Sequence, residues 1–319
     1  MIDEDKQFPS IEKVTDWLSI RYHGDASDLA PLSGGFWSSA FEYRVGAEKL
    51  VLRWSDMSEG FSIDAAAMRF AAPTLPVPVV VETGEAIGFH YAVSRYHSGR
   101  FIEDISAEEA VTAGRALGVL LSSLRGVEAT PYGAVLWYDP ESSDGLTWRT
   151  WLQAGLVDNP KVRVSGWRIK IASNHKIETV FKACESRIDK LLPACPERRD
   201  LVHGDLLHQN VLVDKNAEHV TAIFSWKCSV RGDFLFDVAW CTFWGPWHPG
   251  IAATDMWRRT EAADDLSHAD LVDAPSRHHC YELQIAATHL AWNAWLGDDA
   301  GLKDVADAAD KILERGPLS

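Results

Sequence analysis

Alternating apolar and polar residues fill the first hundred positions of the chain, whereas apolar residues at helical spacing dominate the remainder. Residues 40–45 and 49–54 alternate on either side of a short turn and predict a β-hairpin. Extended chain is predicted near 79–81, a turn at 83–85 and a further strand at 89–96. Strands that precede helices in this way indicate an α+β fold rather than a doubly wound sheet.

Helix signals mark both parts of the chain. Ser10 precedes apolar residues that predict a first helix, and residues 62–71 predict another. Ser106 and Glu109 have the spacing of a capping box before a helix that reaches Leu124, and Thr147 can cap the next helix after a loop at 131–145. The segment 175–193 is amphipathic, short strands are predicted at 211–213 and 220–224, and the chain is mostly helical after 234.

A polar break at 97–100 separates the two parts. We therefore expect a smaller N-terminal lobe of residues 1–96, built on an antiparallel sheet, and a larger, mostly helical C-terminal lobe of residues 97–319. A ligand cleft is expected near the joint between the lobes.

Composition narrows the function. The 319-residue chain has a formal net charge of −15, which argues against nucleic-acid partners and weakly favours a cationic ligand. It contains 14 tryptophans, most of which we expect in the core, and five cysteines without a CxxC pair. No run of about 18 apolar residues is present. The N-terminal segment is acidic rather than basic and apolar. These features predict a cytoplasmic protein without membrane contact, and we expect a monomer.

The strongest chemical signal is a His-x-Asp followed by four residues and an Asn, formed by His203, Asp205 and Asn210 and flanked by apolar strands. Phosphoryl transfer needs a carboxylate at the attacking hydroxyl and an oxygen ligand for magnesium, and a tight loop can hold both. The alternative interpretation is a capping aspartate next to an unrelated asparagine.

This segment resembles the catalytic loop of the aminoglycoside phosphotransferase superfamily, a branch of the protein-kinase-like fold, and the chain is most similar to its hygromycin B phosphotransferase group. Further matches are Leu75-Pro76-Val77-Pro78, Thr147-Trp148-Arg149, residues 232–240 and residues 243–247. The resemblance implies a two-lobed kinase-like fold, ATP or GTP with Mg²⁺ as cofactors, and inactivation of an antibiotic by phosphorylation of a hydroxyl.

The resemblance also implies residue roles. Asp205 is expected to be the catalytic base, Asn210 a magnesium ligand and His203 a structural residue of the loop. Asp233 and Asp237 match a Gly-Asp-x-x-x-Asp segment of the family. We interpret both as structural braces, with binding of a cationic substrate as the minority interpretation.

Nucleotide contacts are expected from the first lobe. Glycine-rich backbone can approach phosphates closely, which makes Ser33, Gly34 and Gly35 candidates, although a simple turn fits them equally well. Arg53 lies in a predicted strand where the kinase template places its phosphate-pairing cation, with Asp64 or Glu59 as its acidic partner. Two further candidates at the lobe joint are Ser94 and Tyr96.

One position departs from the family pattern. The family carries a second metal-binding aspartate on the strand after the loop, usually in Ile-Asp-Trp, whereas this chain has Ser225 before Trp226. A serine hydroxyl can bind Mg²⁺, but it is neutral and short. Three interpretations remain open: a slow enzyme with Ser225 at the metal, an impaired kinase-like binding protein, or an inactivating substitution.

The acceptor is expected to be a polycation, bound by carboxylates at its ammonium groups and by flat rings at its sugar faces. Candidate side chains for this site are Asp298, Asp299, Trp244 and Trp247. A kinase for another small alcohol, such as a nucleoside antibiotic, a macrolide, choline or a sugar, remains an alternative.

Overall fold

The computed structural model describes residues 8–32, 35–125, 127 and 147–318, and the expected loop at 131–145 lies outside them. The described strands are β1 (Ala26–Leu32), β2 (Ser39–Val45), β3 (Glu48–Ser55), β4 (Val80–Ala86), β5 (Phe89–Arg95), β6 (Arg100–Phe101), β7 (Asp200–Val202), β8 (Val211–Val213), β9 (Val220–Ile223) and β10 (Val230–Gly232). The described helices are α1 (Ile11–Arg21), α2 (Glu59–Ala67), α3 (Ala110–Leu124), α4 (Trp148–Ala154), α5 (Trp167–Ala172), α6 (His175–Leu191), α7 (Leu235–Trp244), α8 (Pro249–Ala253), α9 (Met256–Glu261), α10 (His268–Leu271), α11 (Ala274–Leu296) and α12 (Asp299–Arg315).

An antiparallel sheet of five strands, in the order β1-β2-β3-β5-β4, forms the first part of the molecule. The predicted hairpin is confirmed, because Ser39 to Val45 pair in register with Trp54 to Glu48. Its inward side chains, including Tyr43 and Trp54, share a core with Val14 and Leu18 of α1. This core is separate from the larger one that fills the helical part.

The turn expected at 83–85 is wrong. Strand β4 continues through these residues, and the chain turns instead at Ile87 and Gly88, which both have positive φ angles of 47° and 84°. Gly84 serves close packing rather than a turn, since a Cβ there would lie 2.7 Å from the Tyr91 hydroxyl oxygen on β5. A glycine within a strand can thus mark the approach of a neighbouring side chain.

Local helix signals are confirmed. Ser10 accepts a hydrogen bond from the Lys13 N–H at the start of α1, and Thr147 accepts one from Thr150 at the start of α4. Ser106 and Glu109 form the expected capping box, here on a 3₁₀ turn that leads into α3. The amphipathic helix predicted from 175 is α6.

The helical part is organised around α11, which is buried along most of its length and packs against α5, α6, α7 and α12. An α+β architecture is therefore confirmed, with the strands of the large sheet all preceding the main helices. In the described residues, no helix is both long enough and apolar enough to cross a membrane.

Two small sheets hold the loop that contains the His-x-Asp motif. Strand β7 pairs with β10, and β6, β8 and β9 form a second sheet. The segment between the two parts of the molecule packs on this second sheet, because His97 Nδ1 donates to the Thr221 carbonyl at 2.9 Å. Gly99 passes so close that a Cβ would lie 2.7 Å from the Val213 carbonyl oxygen. The joint is thereby anchored beside the loop.

Candidate active site

A cavity of about 430 Å³ lies where the large sheet and α2 meet the helical part. Its walls come from three sources: the turn before β2 together with β3 and α2, the loop between β7 and β8 with the segment after β9, and helices α4, α7 and α11. Among its lining residues are Asp205, Asn210, Arg53, Asp64 and Ser225. The structure therefore brings together the catalytic, metal-binding and phosphate-pairing candidates of the sequence in one place.

The loop between β7 and β8 is stabilised by the buried carboxylate of Asp237. Its carboxylate accepts the backbone N–H groups of His203 at 2.8 Å and Gly204 at 2.9 Å. Burial raises the pKa of Asp237 to about 7, against the lowering effect of these hydrogen bonds. Gly204 has a φ of +73° and would place a Cβ 2.7 Å from the Cys228 carbonyl oxygen, so the tight turn requires glycine.

His203 fixes the loop from inside. The ring is fully buried, and its Nε2 donates to the Phe224 carbonyl at 3.1 Å while its Nδ1 accepts the Asp205 N–H at 3.3 Å. Burial lowers the pKa of His203 although the Asp205 carboxylate opposes this effect. The imidazole is therefore a neutral link between Phe224, just after β9, and the loop.

Asp233 lies outside the cavity lining and belongs to the core. Arg277 donates to both carboxylate oxygens of Asp233 at 2.8 Å, and the Tyr281 hydroxyl donates to Asp233 Oδ2 at 2.7 Å. Burial raises the pKa of Asp233, while Arg277 and Tyr281 oppose the increase. This fully satisfied buried pair connects the start of α7 to α11.

Asp205 exposes 18% of its side chain, and its Oδ1 lies 2.7 Å from Nδ1 of His208. The orientation of the Asn210 side chain is fixed by its Nδ2, which donates to the carbonyls of Asp205 at 2.8 Å and Leu207 at 2.9 Å. Because Nδ2 is engaged by the loop, Oδ1 is the Asn210 atom available to a ligand in the cavity.

Arg53 and Asp64 form an ion pair on the opposite wall, with 2.6 Å between Nη2 and Oδ2. The other oxygen of Asp64 accepts the Trp226 N–H at 2.8 Å. Asp64, rather than Glu59, is thus the partner of Arg53, although Glu59 also lines the cavity. The Asp64 side chain therefore connects α2 of the first part to the segment that follows β9.

Ser225 does not lie in a strand. Strand β9 ends at Ile223, and Ser225 adopts left-handed backbone angles of φ 68° and ψ 56° before a 3₁₀ turn. It is partly exposed and lines the cavity near Asn210. Two residues later, Lys227 also reaches the cavity, with its ammonium 4.6 Å from the centre of a Trp37 ring.

Helices α4, α7 and α11 give the cavity an aromatic wall. This wall consists of Trp151, Phe236, Trp240, Trp244, His289 and Trp292, with the neutral side chains of Gln284, Thr288 and Asn293 beside them. Trp244 is among the residues expected from the sequence to meet the acceptor. Trp247 packs on Trp244 with 5.1 Å between ring centres but does not line the cavity.

The expected acidic part of the acceptor site stays a prediction. Asp298 caps α12 by accepting the Gly301 N–H at 3.0 Å, and Asp299 is the first residue of that helix. Neither lines the cavity. Capping and the helix dipole also account for two acidic residues at a helix start.

The nucleotide candidates divide in a similar way. Gly35 lines the cavity, whereas Ser33 and Gly34 lie outside the described residues. Ser94 and Tyr96 do not line this cavity, and their contact with the nucleotide stays a prediction. Ser94 is buried within β5, between its pairing partners on β3 and β4, and the Tyr96 ring lies under the Lys49 ammonium at 3.7 Å.

Sequence reasoning missed His208. His208 stands inside the motif, so its position between the proposed base and the proposed metal ligand was the available signal. Trp292 packs against both Phe36 and Trp37, with ring centres 5.4 and 5.7 Å apart. Such contacts between distant segments leave no periodic trace in a sequence.

The chain is similar to known proteins in sequence and in fold. Hygromycin-B 4-O-kinase of Escherichia coli is 29% identical over 290 residues, which cover 88% of this chain and 78% of that protein. The crystal structure of aminoglycoside phosphotransferase APH(4)-Ia superposes with a TM-score of 0.81 at 25% identity, covering 97% of this chain and 100% of its own.

A ternary complex of a thermostable APH(4)-Ia mutant with AMP-PNP and hygromycin B gives a TM-score of 0.78 at 25% identity, covering 94% of this chain and 98% of its own. The GDP complex of aminoglycoside 2′-phosphotransferase-IIIa matches at a TM-score of 0.60 and 13% identity, over 96% of this chain and 99% of its own, and shows the fold alone. The two-lobed, protein-kinase-like architecture expected from the sequence is thus confirmed. The model of the phosphotransferase enzyme family matches residues 28–279, and the chain belongs to that family of small-molecule kinases.

Proposed function

We propose that this phosphotransferase moves the terminal phosphoryl group of a nucleoside triphosphate, ATP or GTP, to a hydroxyl of an aminoglycoside antibiotic. The carrying observation is the arrangement of Asp205 and Asn210 on one wall of a single cavity with the Arg53–Asp64 ion pair on the other. These groups are the parts that phosphoryl transfer requires.

The nucleotide would lie against the first lobe, which we assign to residues 1–96, and the acceptor against residues 97–319. Arg53 supplies a guanidinium that can pair with phosphate oxygens while Asp64 holds it in place. Gly35 lets the turn before β2 approach the phosphates without a side chain.

The donor atoms around the cavity suit Mg²⁺, which prefers oxygen ligands. Asn210 offers Oδ1, since its Nδ2 is bound to loop carbonyls, and Ser225 offers a hydroxyl on the same cavity. The bound ion would offset negative charge on the phosphates. Because Ser225 is neutral, more of that task falls to the cations of the chain, Arg53 and Lys227.

Asp205 would act as the base. The acceptor oxygen forms a bond to the terminal phosphorus, the bond from phosphorus to the bridging oxygen breaks, and the acceptor proton moves to the Asp205 carboxylate. His203 accepts the Asp205 N–H, and Asp237 fixes the two preceding residues, so the carboxylate meets the acceptor with little reorganisation. The products are the phosphorylated acceptor and the nucleoside diphosphate.

The acceptor class is inferred from the relatives, whose names specify hygromycin B and other aminoglycosides. The aromatic wall around Trp240 and Trp244 offers flat faces to sugar rings, and the neutral side chains Gln284, Thr288 and Asn293 can hydrogen-bond to hydroxyl and amino groups.

An assay of nucleoside-diphosphate release tests this function. The protein is incubated with ATP or GTP and a panel of aminoglycosides, with choline and simple sugars as control acceptors, in Mg²⁺ and in Mn²⁺. We expect release that depends on an aminoglycoside, with mass spectrometry showing one added phosphoryl group. Turnover with choline or sugars alone would contradict the acceptor class, and no transfer to any acceptor would contradict the function.

A further inference from the structure

His208 makes the closest side-chain contact recorded for Asp205. Its Nδ1 lies 2.7 Å from Asp205 Oδ1, although the residue exposes 41% of its side chain and could have turned to solvent. An imidazole that donates to a carboxylate commonly fixes the orientation of both groups.

The backbone is shaped to bring the ring there. His208 and Gln209 have consecutive positive φ angles of 63° and 65°, a conformation that costs non-glycine residues roughly 1 kcal/mol or more each. The Glu103 carboxylate accepts the Gln209 N–H and stabilises this turn from the outside. Without the turn, the side chain at 208 would not face back towards residue 205.

The aromatic wall holds the ring from its other side. Trp244 packs edge-on against His208, with ring centres 4.8 Å apart and an angle of 78° between planes. His289 supports Trp244 in turn at 4.9 Å and donates from Nδ1 to the Ile285 carbonyl at 2.7 Å. A chain of rigid contacts thus runs from α11 through Trp244 to the base.

We propose that His208 is a positioning residue for the base: its Nδ1–H donates to Asp205 Oδ1, fixes the carboxylate, and leaves Oδ2 to receive the acceptor proton. This inference rests on the proposed function. The donor is present whether the ring is neutral or charged, so the role is geometric. Because the ring also touches Trp244, movement of the acceptor wall is transmitted to the base.

Two substitutions separate positioning from simple packing. His208→Asn keeps a nitrogen donor at the same number of bonds from the backbone, and asparagine tolerates positive φ. His208→Leu keeps bulk and removes the donor. The matched control is His219→Leu, because His219 Nδ1 lies 3.0 Å from Asp214 Oδ2 in an exposed turn away from the cavity.

Steady-state kinetics with the best aminoglycoside and saturating nucleotide give the first measurement. We expect His208→Leu to lower kcat on the order of 10²-fold, as small displacements of a catalytic group do, with the KM values for both substrates within about threefold of wild type. His208→Asn should recover most of the loss, and His219→Leu should change nothing. A His208→Leu kcat within threefold of wild type, or no recovery with asparagine, overturns the proposal.

A second measurement does not depend on activity. In nitrogen-15 spectra of histidine-labelled protein at one fixed pH, the His208 ring should show a protonated Nδ1 whose resonance shifts in Asp205→Ala but not in Asp214→Ala. An unshifted resonance overturns the pair itself. If the resonance shifts as expected while wild-type protein phosphorylates no acceptor, the proposed function fails and the side-chain pair stands.

Discussion

Asp205 is held by three different groups: its backbone by His203, its Oδ1 by His208, and its carbonyl oxygen by Asn210. The carboxylate is therefore well ordered before any substrate binds. Removing its charge while keeping its shape is the cleanest test of its role as a base.

We expect Asp205→Asn to lower kcat by a factor of about 10²–10⁴, the usual contribution of a general base, while the melting temperature stays nearly unchanged. The amide keeps the size of the side chain but cannot take the acceptor proton. Asp214→Asn, in an exposed turn, is the control that should keep full activity. Wild-type turnover in Asp205→Asn would exclude Asp205 as the base.

Ser225 offers a test that restores charge rather than removing it. Its left-handed backbone is a conformation that aspartate tolerates, and its side chain is partly exposed on the cavity. We expect Ser225→Asp to tighten Mg²⁺ binding and raise kcat by roughly 10²–10³, the range for one contact that stabilises transition-state charge. Calorimetric titration with Mg²⁺ and nucleotide, and turnover under the same conditions, measure both effects.

The Ser225→Asp prediction needs a control variant and can be contradicted by one outcome. Ser225→Asn is the matched control, because it has the same shape without the charge and should leave kcat within a few-fold of wild type. If Ser225→Asp lowers the melting temperature and leaves activity at the serine level with saturating Mg²⁺, the added carboxylate is an uncompensated charge. The metal site would then be complete without residue 225.

At the scale of whole elements, helix α11 carries two buried imidazoles, His278 and His279, and a partly buried one, His289. Burial lowers the pKa of His278 to about 3, of His279 to about 4 and of His289 to about 4. In the unfolded chain these groups titrate near 6.5. As pH falls below 6.5, the unfolded state therefore binds protons that the folded state does not, and the free energy of unfolding decreases.

His279→Leu tests this dependence, because both ring nitrogens of His279 are buried without a hydrogen-bond partner in the described structure. The melting temperature should fall between pH 7.5 and pH 5.5 in the wild type, with each such histidine costing about 1 kcal/mol at the lower pH. The leucine variant should show a shallower fall. His175→Gln, at an exposed position, is the control, and equal slopes in all three proteins would contradict the prediction.

Helices and strands could be predicted where the residues that determine them are close in sequence. The caps at Ser10 and Thr147 and the hairpin of β2 and β3 depend on residues close in sequence, and all agree with the structure. Gly84 was misread because its role depends on a strand neighbour, and the cap formed by Asp298 depends on a helix that begins after it. Composition alone does not distinguish these uses of glycine and aspartate.

The same limit applies to the site. The functional residues of the loop between β7 and β8 could be identified because they lie within one short segment and have the residue types that phosphoryl transfer requires. Trp244 could be named as an aromatic candidate, but the aromatic wall as a whole could not be predicted, because α4, α7 and α11 meet only through tertiary packing. Ser94 was chosen because it is close to the joint in sequence, whereas the surroundings of its side chain depend on how β5 pairs with β3 and β4.

At the scale of the whole molecule, Asp64 joins the two lobes. It belongs to α2 of the first lobe, it pairs with Arg53 of β3, and it accepts the backbone N–H of Trp226 beside the metal-binding candidates. A single buried carboxylate thus fixes the phosphate-pairing cation relative to the catalytic loop. The position of the cation should depend on this contact as much as on the strand that carries it.

Arg53→Ala should therefore weaken nucleotide binding about tenfold or more, as expected when a charge-assisted phosphate contact worth roughly 1.5–3 kcal/mol is lost. Acceptor affinity should change much less, because the aromatic wall lies on the other lobe. The substitution also leaves the buried Asp64 without its ion-pair partner, so Arg53→Ala, Asp64→Asn must be measured as well. In the double variant the fold recovers stability while the nucleotide remains weakly bound. Calorimetry with nucleotide and with acceptor distinguishes the outcomes: equal losses for both ligands, or nucleotide affinity restored in the double variant, would remove Arg53 from the phosphate site and leave it as a strut between the lobes.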